Sequence, residues 1–262
     1  MYTIDERERL REKIVEAARA DPRISGGAIT GSAAVGASDR WSDLDLAFGI
    51  ADRAQMRETL SDWTDLMYRD HGALHHMDVA FGAAVYRVFL LASTLQVDLA
   101  FFPADEFGAT HPTFQLLFGV AVERPRVPPP TAASLINWGW LYALHARSCV
   151  ERGRSWQAEY MISGVRDHAL ALAALRHGLP AEPGRGMDRL PGDVTAQFEG
   201  GLVRALDDAE LKRAFRVATV GLLAEIDRAD PAILGATQSA IDGVGGVSLR
   251  PRCSLDITLF LA

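Results

Sequence analysis

Residues 28–48 read AITGSAAVGASDRWSDLDLAF and combine a glycine-serine turn with a closely spaced pair of aspartates. The first three residues predict a short apolar strand that stops at Gly31, whereas residues 42–48 alternate polar and apolar side chains as a half-buried strand does. Because successive side chains in a strand point to opposite sides, we expect Asp43 and Asp45 to share one face. Two carboxylates so close repel each other unless a cation lies between them, so the pair predicts a metal site.

The turn between the two predicted strands suits a phosphate group. Gly31 lets the backbone approach a phosphate closely, and Ser32 adds a hydroxyl donor. Magnesium takes hard oxygen ligands and usually keeps substrate phosphates in its coordination shell. The turn and the aspartate pair together therefore predict a cradle for a metal-bound nucleotide.

A family resemblance rests on three parts of the sequence. The segment TGS at residues 30–32 is followed, after ten residues, by DLD at residues 43–45. This pattern resembles the signature of the nucleotidyltransferase superfamily, which includes DNA polymerase beta and the small antibiotic nucleotidyltransferases. The family also places a third acidic residue between apolar residues on a later strand, and Asp98 in the segment QVDLA supplies it. The resemblance covers approximately residues 3–103.

The resemblance implies an α+β fold, with an N-terminal mixed-sheet nucleotidyltransferase domain and a C-terminal α-helical bundle domain. We predict the catalytic domain over residues 1–122, a helical acceptor-side domain over residues 131–230, and a tail of unknown role over residues 231–262. Four prolines within residues 123–130 predict a stiff linker between the domains. The helical part is similar in architecture to the second domain of the kanamycin and streptomycin nucleotidyltransferases, in which the antibiotic lies between the domains.

Hydrophobic periodicity and turn residues predict a helix, two strands, a helix and three strands in the first part of the chain. In that order, the predicted ranges are 4–20, 23–30, 42–48, 52–68, 74–81, 85–91 and 95–102. Residues 104–119 are predicted to form two short helices around a turn. Further helices are predicted over residues 132–152, 155–177, part of 191–206, and 209–228. Ser155 is the expected N-cap of the second of these helices, and Gly178 its C-terminal stop.

The resemblance also assigns roles to individual residues. Asp43, Asp45 and Asp98 would hold one or two Mg²⁺ ions, and Asp98 would either complete a second metal site or act as the general base. The candidate nucleotide contacts are Gly31, Ser32, Arg40, Ser42 and Arg166.

The sequence leaves two alternatives open for the acidic groups. Asp78 lies between apolar residues and competes with Asp98, but Asp98 is preferred because its predicted strand is longer and ends at a clear domain exit. Glu159 and Arg166 are seven residues apart on nearly one helix face, so Glu159 is a second candidate base and Arg166 a phosphate contact. An ordinary surface or intradomain ion pair explains these two residues equally well.

Aromatic residues crowd the first two helices of the second part, where they either line an acceptor cleft or pack in the core. These residues are Trp138, Trp140, Tyr142, Trp156 and Tyr160.

Composition narrows the range of partners. A net charge of −7 argues against a nucleic-acid polymer, whose phosphates favour a basic surface, and suits a small cationic substrate. No apolar run reaches the roughly 20 residues of a membrane helix, and the N-terminus is charged, so we expect no membrane association and a cytoplasmic location. Cys149 and Cys253 are too few and too far apart for a disulfide framework or a zinc site.

These observations favour an enzyme that uses Mg²⁺ and ATP, or another nucleoside triphosphate, to transfer a nucleoside monophosphate to a hydroxyl of a small molecule such as an aminoglycoside. We expect a monomer or a homodimer. Two alternatives follow from the same resemblance. One is an antitoxin-like or regulatory nucleotidyltransferase that acts on, or only binds, a partner protein, and the other is a nucleotide-binding relic without activity.

Overall fold

The computed structural model describes residues 2–182 and 184–234. Residues 235–262, which make up most of the predicted tail, lie outside the described residues. The chain divides into two compact units, Met1–Val127 and Pro128–Ala262. The first unit contains a mixed sheet with helices, and the described elements of the second are helical, so the protein belongs to the α+β class.

The elements of the first unit follow the order expected from the sequence up to residue 103. They are α1 (Ile4–Ala20), β1 (Ile24–Thr30), β2 (Leu44–Ile50), α2 (Met56–Asp70), β3 (Ala73–Phe81), β4 (Ala84–Leu91), β5 (Gln96–Pro103) and β6 (Phe114–Gly119). The sheet has the strand order β3-β4-β5-β2-β1-β6. Strands β2 and β5 run parallel, and the other neighbouring pairs run antiparallel.

The two faces of this sheet differ because large apolar side chains alternate with acidic or small ones along its central strands. On one face, Leu46 and Phe48 of β2 are buried against α1 and α2, and the ring of Phe48 lies 5.2 Å from that of Trp63. Burying a side chain of this size contributes about 1.5–3 kcal/mol, so the apolar face fixes the orientation of β2. The intervening residues, Asp45 and Ala47, must then point to the opposite face.

The prediction for residues 104–119 is wrong, because part of this range forms strand β6. Residues 104–119 were expected to form two short helices, but they form a single turn of 3₁₀-helix at Ala104–Glu106 and then β6, which pairs with β1. The reason is tertiary, because the outer edge of β1 offers unpaired backbone groups and its glycines leave room for aromatic rings. A Cβ added to Gly27 would lie only 2.4 Å from the ring of Phe118 in β6.

The second unit has its own apolar core. Its helices are α3 (Ala132–Glu151), α4 (Ser155–Arg176), α5 (Gly192–Glu199) and α6 (Asp208–Ala229). Ser155 is the first helical residue of α4 rather than its N-cap, which is Arg154 without a side-chain cap. Gly178 has φ +67° and follows the end of α4, as expected for a C-terminal stop. No helix within the described ranges is long and apolar enough to cross a membrane.

The close contact between β1 and β6 gives a testable prediction. Gly27→Ala should lower the free energy of unfolding by about 1–3 kcal/mol, because the added methyl group would overlap the Phe118 ring. Chemical denaturation measures this change. The double variant Gly27→Ala/Phe118→Leu should recover part of the loss, since the smaller side chain removes the overlap. Equal losses with and without Phe118→Leu would contradict the explanation.

Candidate active site

Three carboxylates converge where β2 and β5 begin. Asp43 immediately precedes β2, while Asp45 and Asp98 are directly paired residues of the two parallel strands. One carboxylate oxygen from each of the three residues lies within 4.8 Å of the others, and all three residues are half-buried. Parallel pairing places Asp45 and Asp98 on the same face, opposite the apolar core.

The electrostatics of this acidic triad (Asp43, Asp45 and Asp98) suit a cation. Burial raises the pKa of Asp98 and the charge of Asp43 adds to the rise, whereas a hydrogen bond from the Gln96 side chain opposes it. The Gln96 amide lies 3.0 and 3.1 Å from the two Asp98 carboxylate oxygens. Within the described part of the chain, neither Asp43 nor Asp98 forms an ion pair with a basic residue. Three hard oxygen donors with this charge fit a divalent ion such as Mg²⁺.

The glycine of the turn is required by two separate features of the structure. Gly31 has φ +64°, a backbone conformation that residues with a side chain rarely adopt. In addition, a Cβ on Gly31 would lie 2.0 Å from an Asp45 carboxylate oxygen. The Asp45 carboxylate therefore occupies the space that any other residue at position 31 would fill.

Ser32 follows Gly31 and precedes a short 3₁₀-helix, Ala33–Val35. Its carbonyl oxygen accepts a hydrogen bond from the backbone N–H of Ala37 at 3.0 Å. Among the described residues its half-buried hydroxyl has no hydrogen-bond partner. This hydroxyl is therefore available to a ligand oxygen beside the triad.

Helix α1 holds the loop that separates the turn from the aspartates. Arg7 is only 4% exposed, and its guanidinium donates hydrogen bonds to the carbonyl oxygens of Asp39 (2.5 Å) and Ser42 (3.0 Å). The Tyr2 hydroxyl donates a further hydrogen bond to the Ser42 carbonyl at 3.1 Å. Sequence analysis missed Arg7, although its position on the same helical stripe as Ile14 was a usable signal.

Ser42, a predicted nucleotide contact, has a structural role in this loop. Its hydroxyl donates to the Asp39 carboxylate at 3.1 Å and lies 2.9 Å from the Asp39 backbone N–H. The hydrogen bond from the Trp41 backbone N–H, and then the one from the Ser42 hydroxyl, lower the pKa of Asp39. The contacts of Ser42 position the residue that precedes Asp43.

A pocket of about 350 Å³ opens on one side of the triad and combines an aromatic ring with a cation. The guanidinium of Arg40 lies 4.7 Å from the ring centroid of Trp41, and both residues line the pocket with Asp43. Gln96, which binds Asp98, lines the same pocket. The predicted Arg40 is therefore close enough to the acidic triad to share a ligand with it.

Asp78 is excluded from the triad, and the structure thereby decides between the two candidates for the third carboxylate. Both carboxylate oxygens of Asp78 accept hydrogen bonds from Arg87 at 2.7 Å, and this pairing lowers the pKa of Asp78. Arg87 also donates to Thr64 and to the Leu60 carbonyl of α2. The pair therefore lies on the α2 face of the sheet, whereas Asp98 points to the other face.

Glu159 and Arg166 lie on α4 in the second unit and pair with different neighbours. Glu159 accepts a hydrogen bond from the Ser163 hydroxyl at 3.0 Å, and Arg166 donates two to Asp167 at 2.8 and 3.0 Å. Both side chains are therefore held by residues of their own helix.

A second-unit pocket of about 450 Å³ lies beside these residues. Three of the aromatic residues singled out in the sequence line it, together with Asp167 and His168; they are Trp138, Tyr142 and Tyr160. The rings of Tyr142 and His168 lie 5.1 Å apart. The pocket thus combines aromatic faces with one carboxylate.

Comparison with known proteins gives one finding on structure. No protein-family profile matches the chain, and no curated protein sequence matches it. The chain is similar to the crystal structure of an aminoglycoside 6-adenyltransferase from Bacillus subtilis, with a TM-score of 0.40 and 13% sequence identity. The similarity covers 93% of this chain and 99% of that one.

The contact between Gly31 and Asp45 predicts a specific loss of metal binding. Gly31→Ala should weaken Mg²⁺ binding at least about tenfold, because the new methyl group must displace the Asp45 carboxylate. Calorimetric titration measures the affinity. Gly36→Ala is a matched control, since Gly36 has a similar φ of +68° but open space at its Cβ position. Equal weakening in both variants would show that backbone strain alone is responsible.

The environment of Asp98 predicts a conflict between stability and metal binding. Since burial and Asp43 raise its pKa, the folded state holds the Asp98 proton more tightly than the unfolded state does. Its stabilising contribution is complete below the unfolded pKa of about 3.9 and is lost as the pH rises through the folded value. Asp98→Asn should therefore raise the melting temperature of the metal-free protein by roughly 1–3 °C at pH 7.

Two further measurements define the outcome for Asp98→Asn. The difference in melting temperature should shrink as the pH falls through the raised pKa of Asp98, because the wild-type carboxylate then becomes protonated. Added Mg²⁺ should stabilise the wild type more than the variant, because the variant lacks one ligand charge. If Asp98→Asn melts below the wild type at pH 7 without metal, the ionised Asp98 carboxylate does not destabilise the metal-free folded state, and the explanation is wrong.

Proposed function

We propose that the protein is a Mg²⁺-dependent nucleotidyltransferase that transfers AMP from ATP to a hydroxyl of a small molecule such as an aminoglycoside. The observation that carries this proposal is the convergence of Asp43, Asp45 and Asp98 beside the Gly31-Ser32 turn. A hard cation site next to a turn that tolerates close approach of a phosphate is what a nucleoside triphosphate requires.

Asp43, Asp45 and Asp98 would hold the metal. Bound to their oxygens, Mg²⁺ would neutralise phosphate charge and make an attached hydroxyl more acidic. Ser32 would donate its hydroxyl to a phosphate oxygen, and Gly31 would leave the space in which the Asp45 carboxylate lies beside the turn. Positioning of this kind supplies much of the rate in phosphoryl-group chemistry.

Arg40 would provide a positive charge to a ligand held beside the triad. Its guanidinium is stacked on Trp41 in the pocket that Asp43 lines. A guanidinium in this position matches phosphate geometry, and an aromatic ring beside it offers a surface for a nucleobase. We therefore place the nucleotide in this pocket.

Asp98 would act as the general base. In the proposed reaction the acceptor hydroxyl oxygen bonds to the α-phosphorus, the bond from that phosphorus to pyrophosphate breaks, and the hydroxyl proton moves to Asp98. Asp98 would take this role where it does not itself hold the metal, since a carboxylate within hydrogen-bond reach can accept the proton of a hydroxyl that a metal has made more acidic. Glu159 is the alternative base, because it is a carboxylate, and Arg166 is an additional phosphate contact, because it carries a guanidinium group.

The proposal of a cationic acceptor rests on two observations. The net charge of the chain is −7, and the second-unit pocket combines the rings of Trp138, Tyr142 and Tyr160 with the carboxylate of Asp167. Aromatic faces and a carboxylate together attract ammonium groups. These features support a small amine-bearing acceptor over a nucleic acid.

The test is release of pyrophosphate. The protein is incubated with Mg²⁺, each nucleoside triphosphate and a panel of aminoglycosides, and the adenylylated product is identified by mass spectrometry. Asp45→Asn should reduce turnover at least about a hundredfold, because it removes a ligand charge from the triad. Asp105→Asn is the matched control, since Asp105 is an exposed carboxylate outside the triad.

Two results would contradict the proposal. One is undiminished turnover in Asp45→Asn, which would place the chemistry elsewhere. The other is an absence of turnover with every hydroxylated acceptor in protein that binds both Mg²⁺ and nucleotide. Glu159→Gln and Asp98→Asn, compared in the same assay, separate the two candidate bases, because loss of the base should lower kcat more than KM.

A further inference from the structure

The sheet face that bears the acidic triad continues into a second pocket, with a volume of about 250 Å³. Ala47 follows Asp45 by two residues in β2, and Ala100 follows Asp98 by two residues in β5, so all four side chains share one face. Two residues of a strand span about 7 Å, which sets the distance from the carboxylates to the floor of this pocket. Thr30, the neighbour of Gly31, also lines it.

The shape of the pocket follows from small residues at its floor and aromatic residues at its walls. Ala47 and Ala100 are directly paired in the sheet and only 2% and 4% exposed. The walls include the rings of Tyr86, Phe102 and Phe114. Alanines beneath aromatic rings leave a narrow slot, which suits a flat or ring-shaped group.

The polarity of the pocket excludes charged groups. Its ten lining residues include no Asp, Glu, Lys or Arg, whereas the pocket on the other side of the triad is lined by Arg40 and Asp43. An anion in the slot would lose its hydration and lie close to the acidic triad, and an ammonium group would find no carboxylate among the described residues that line the slot. The threonine hydroxyls and His111 at the slot can instead hydrogen-bond neutral hydroxyl groups.

We infer that this slot binds an uncharged ring of the acceptor, about the size of one sugar or aromatic ring, and so selects acceptors by a neutral ring close to the reacting hydroxyl. The identification of the ligand as the acceptor rests on the proposed function. The nucleotide is excluded from the slot because its phosphates match Arg40 in the other pocket. Any ammonium groups of the acceptor must lie outside the slot.

Ligand-observed NMR on the full chain tests this inference without nucleotide or metal. The probes are phenol and methyl glucopyranoside, which are uncharged, and benzylamine and benzoate, which are charged. The wild type should bind at least one uncharged probe and bind both charged probes at least about tenfold more weakly. Thr113→Trp, a loop substitution that fills the slot from its rim, should weaken the uncharged probe at least about tenfold.

Gln115→Trp is the matched control. Gln115 pairs with Ile29, whose side chain is in the core on the other face, so a tryptophan there points away from the slot and should leave probe binding unchanged. Ala100→Leu, which fills the slot from its floor, should repeat the loss seen with Thr113→Trp. Melting temperatures of all three variants establish that each is folded.

Three results would overturn the inference. They are equal binding of charged and uncharged probes, unchanged probe binding in both slot-filling variants, and loss of ATP affinity rather than probe affinity in Thr113→Trp. The last result would assign the slot to the nucleobase. Because the probes are measured without turnover, a failed pyrophosphate assay with intact probe binding would reject the proposed function and leave the neutral slot in place.

Discussion

The parallel pairing of β2 with β5 is the constraint on which the candidate site depends. It sets Asp45 directly beside Asp98, and the apolar residues between the acidic ones lock both strands into the core, so the carboxylates cannot turn away from each other. The repulsion among the three acidic groups is therefore offset by the burial of apolar side chains on the opposite face of the sheet. A cation that entered the site would relieve this repulsion and would thereby link folding to metal binding.

The turn and the loop around the triad also help to position its carboxylates. Gly31 supplies both a left-handed backbone and the empty space into which the Asp45 carboxylate extends. Arg7 fixes the loop through two carbonyl oxygens, which places Asp43 at the entrance of β2. The same guanidinium is paired with Glu8 of α1 at 3.2 Å, so its charge is balanced on the helix while it holds the loop.

The two pockets beside the triad differ in chemistry, and the difference arises from strand alternation and loop sequence. The pocket at the start of the strands contains Arg40 and Asp43, because the polar loop before β2 forms its wall. Two residues farther along, the alanines of β2 and β5 replace the aspartates, and β6 and its preceding loop cover that part of the face. A pocket with charged lining residues and a pocket with neutral ones therefore adjoin the same acidic triad.

The sequence by itself determined the order of helices and strands up to residue 103 and the shared face of Asp43 and Asp45, because periodicity and turn residues act over a few neighbouring positions. Only the tertiary structure decided between Asp98 and Asp78, since that choice depends on which strand pairs with β2 and on the Arg87 that binds Asp78. It also decided that residues 114–119 form β6, that Arg7 anchors the loop, and that a neutral slot follows the triad. Each of these depends on contacts between residues far apart in the chain, which local patterns do not encode.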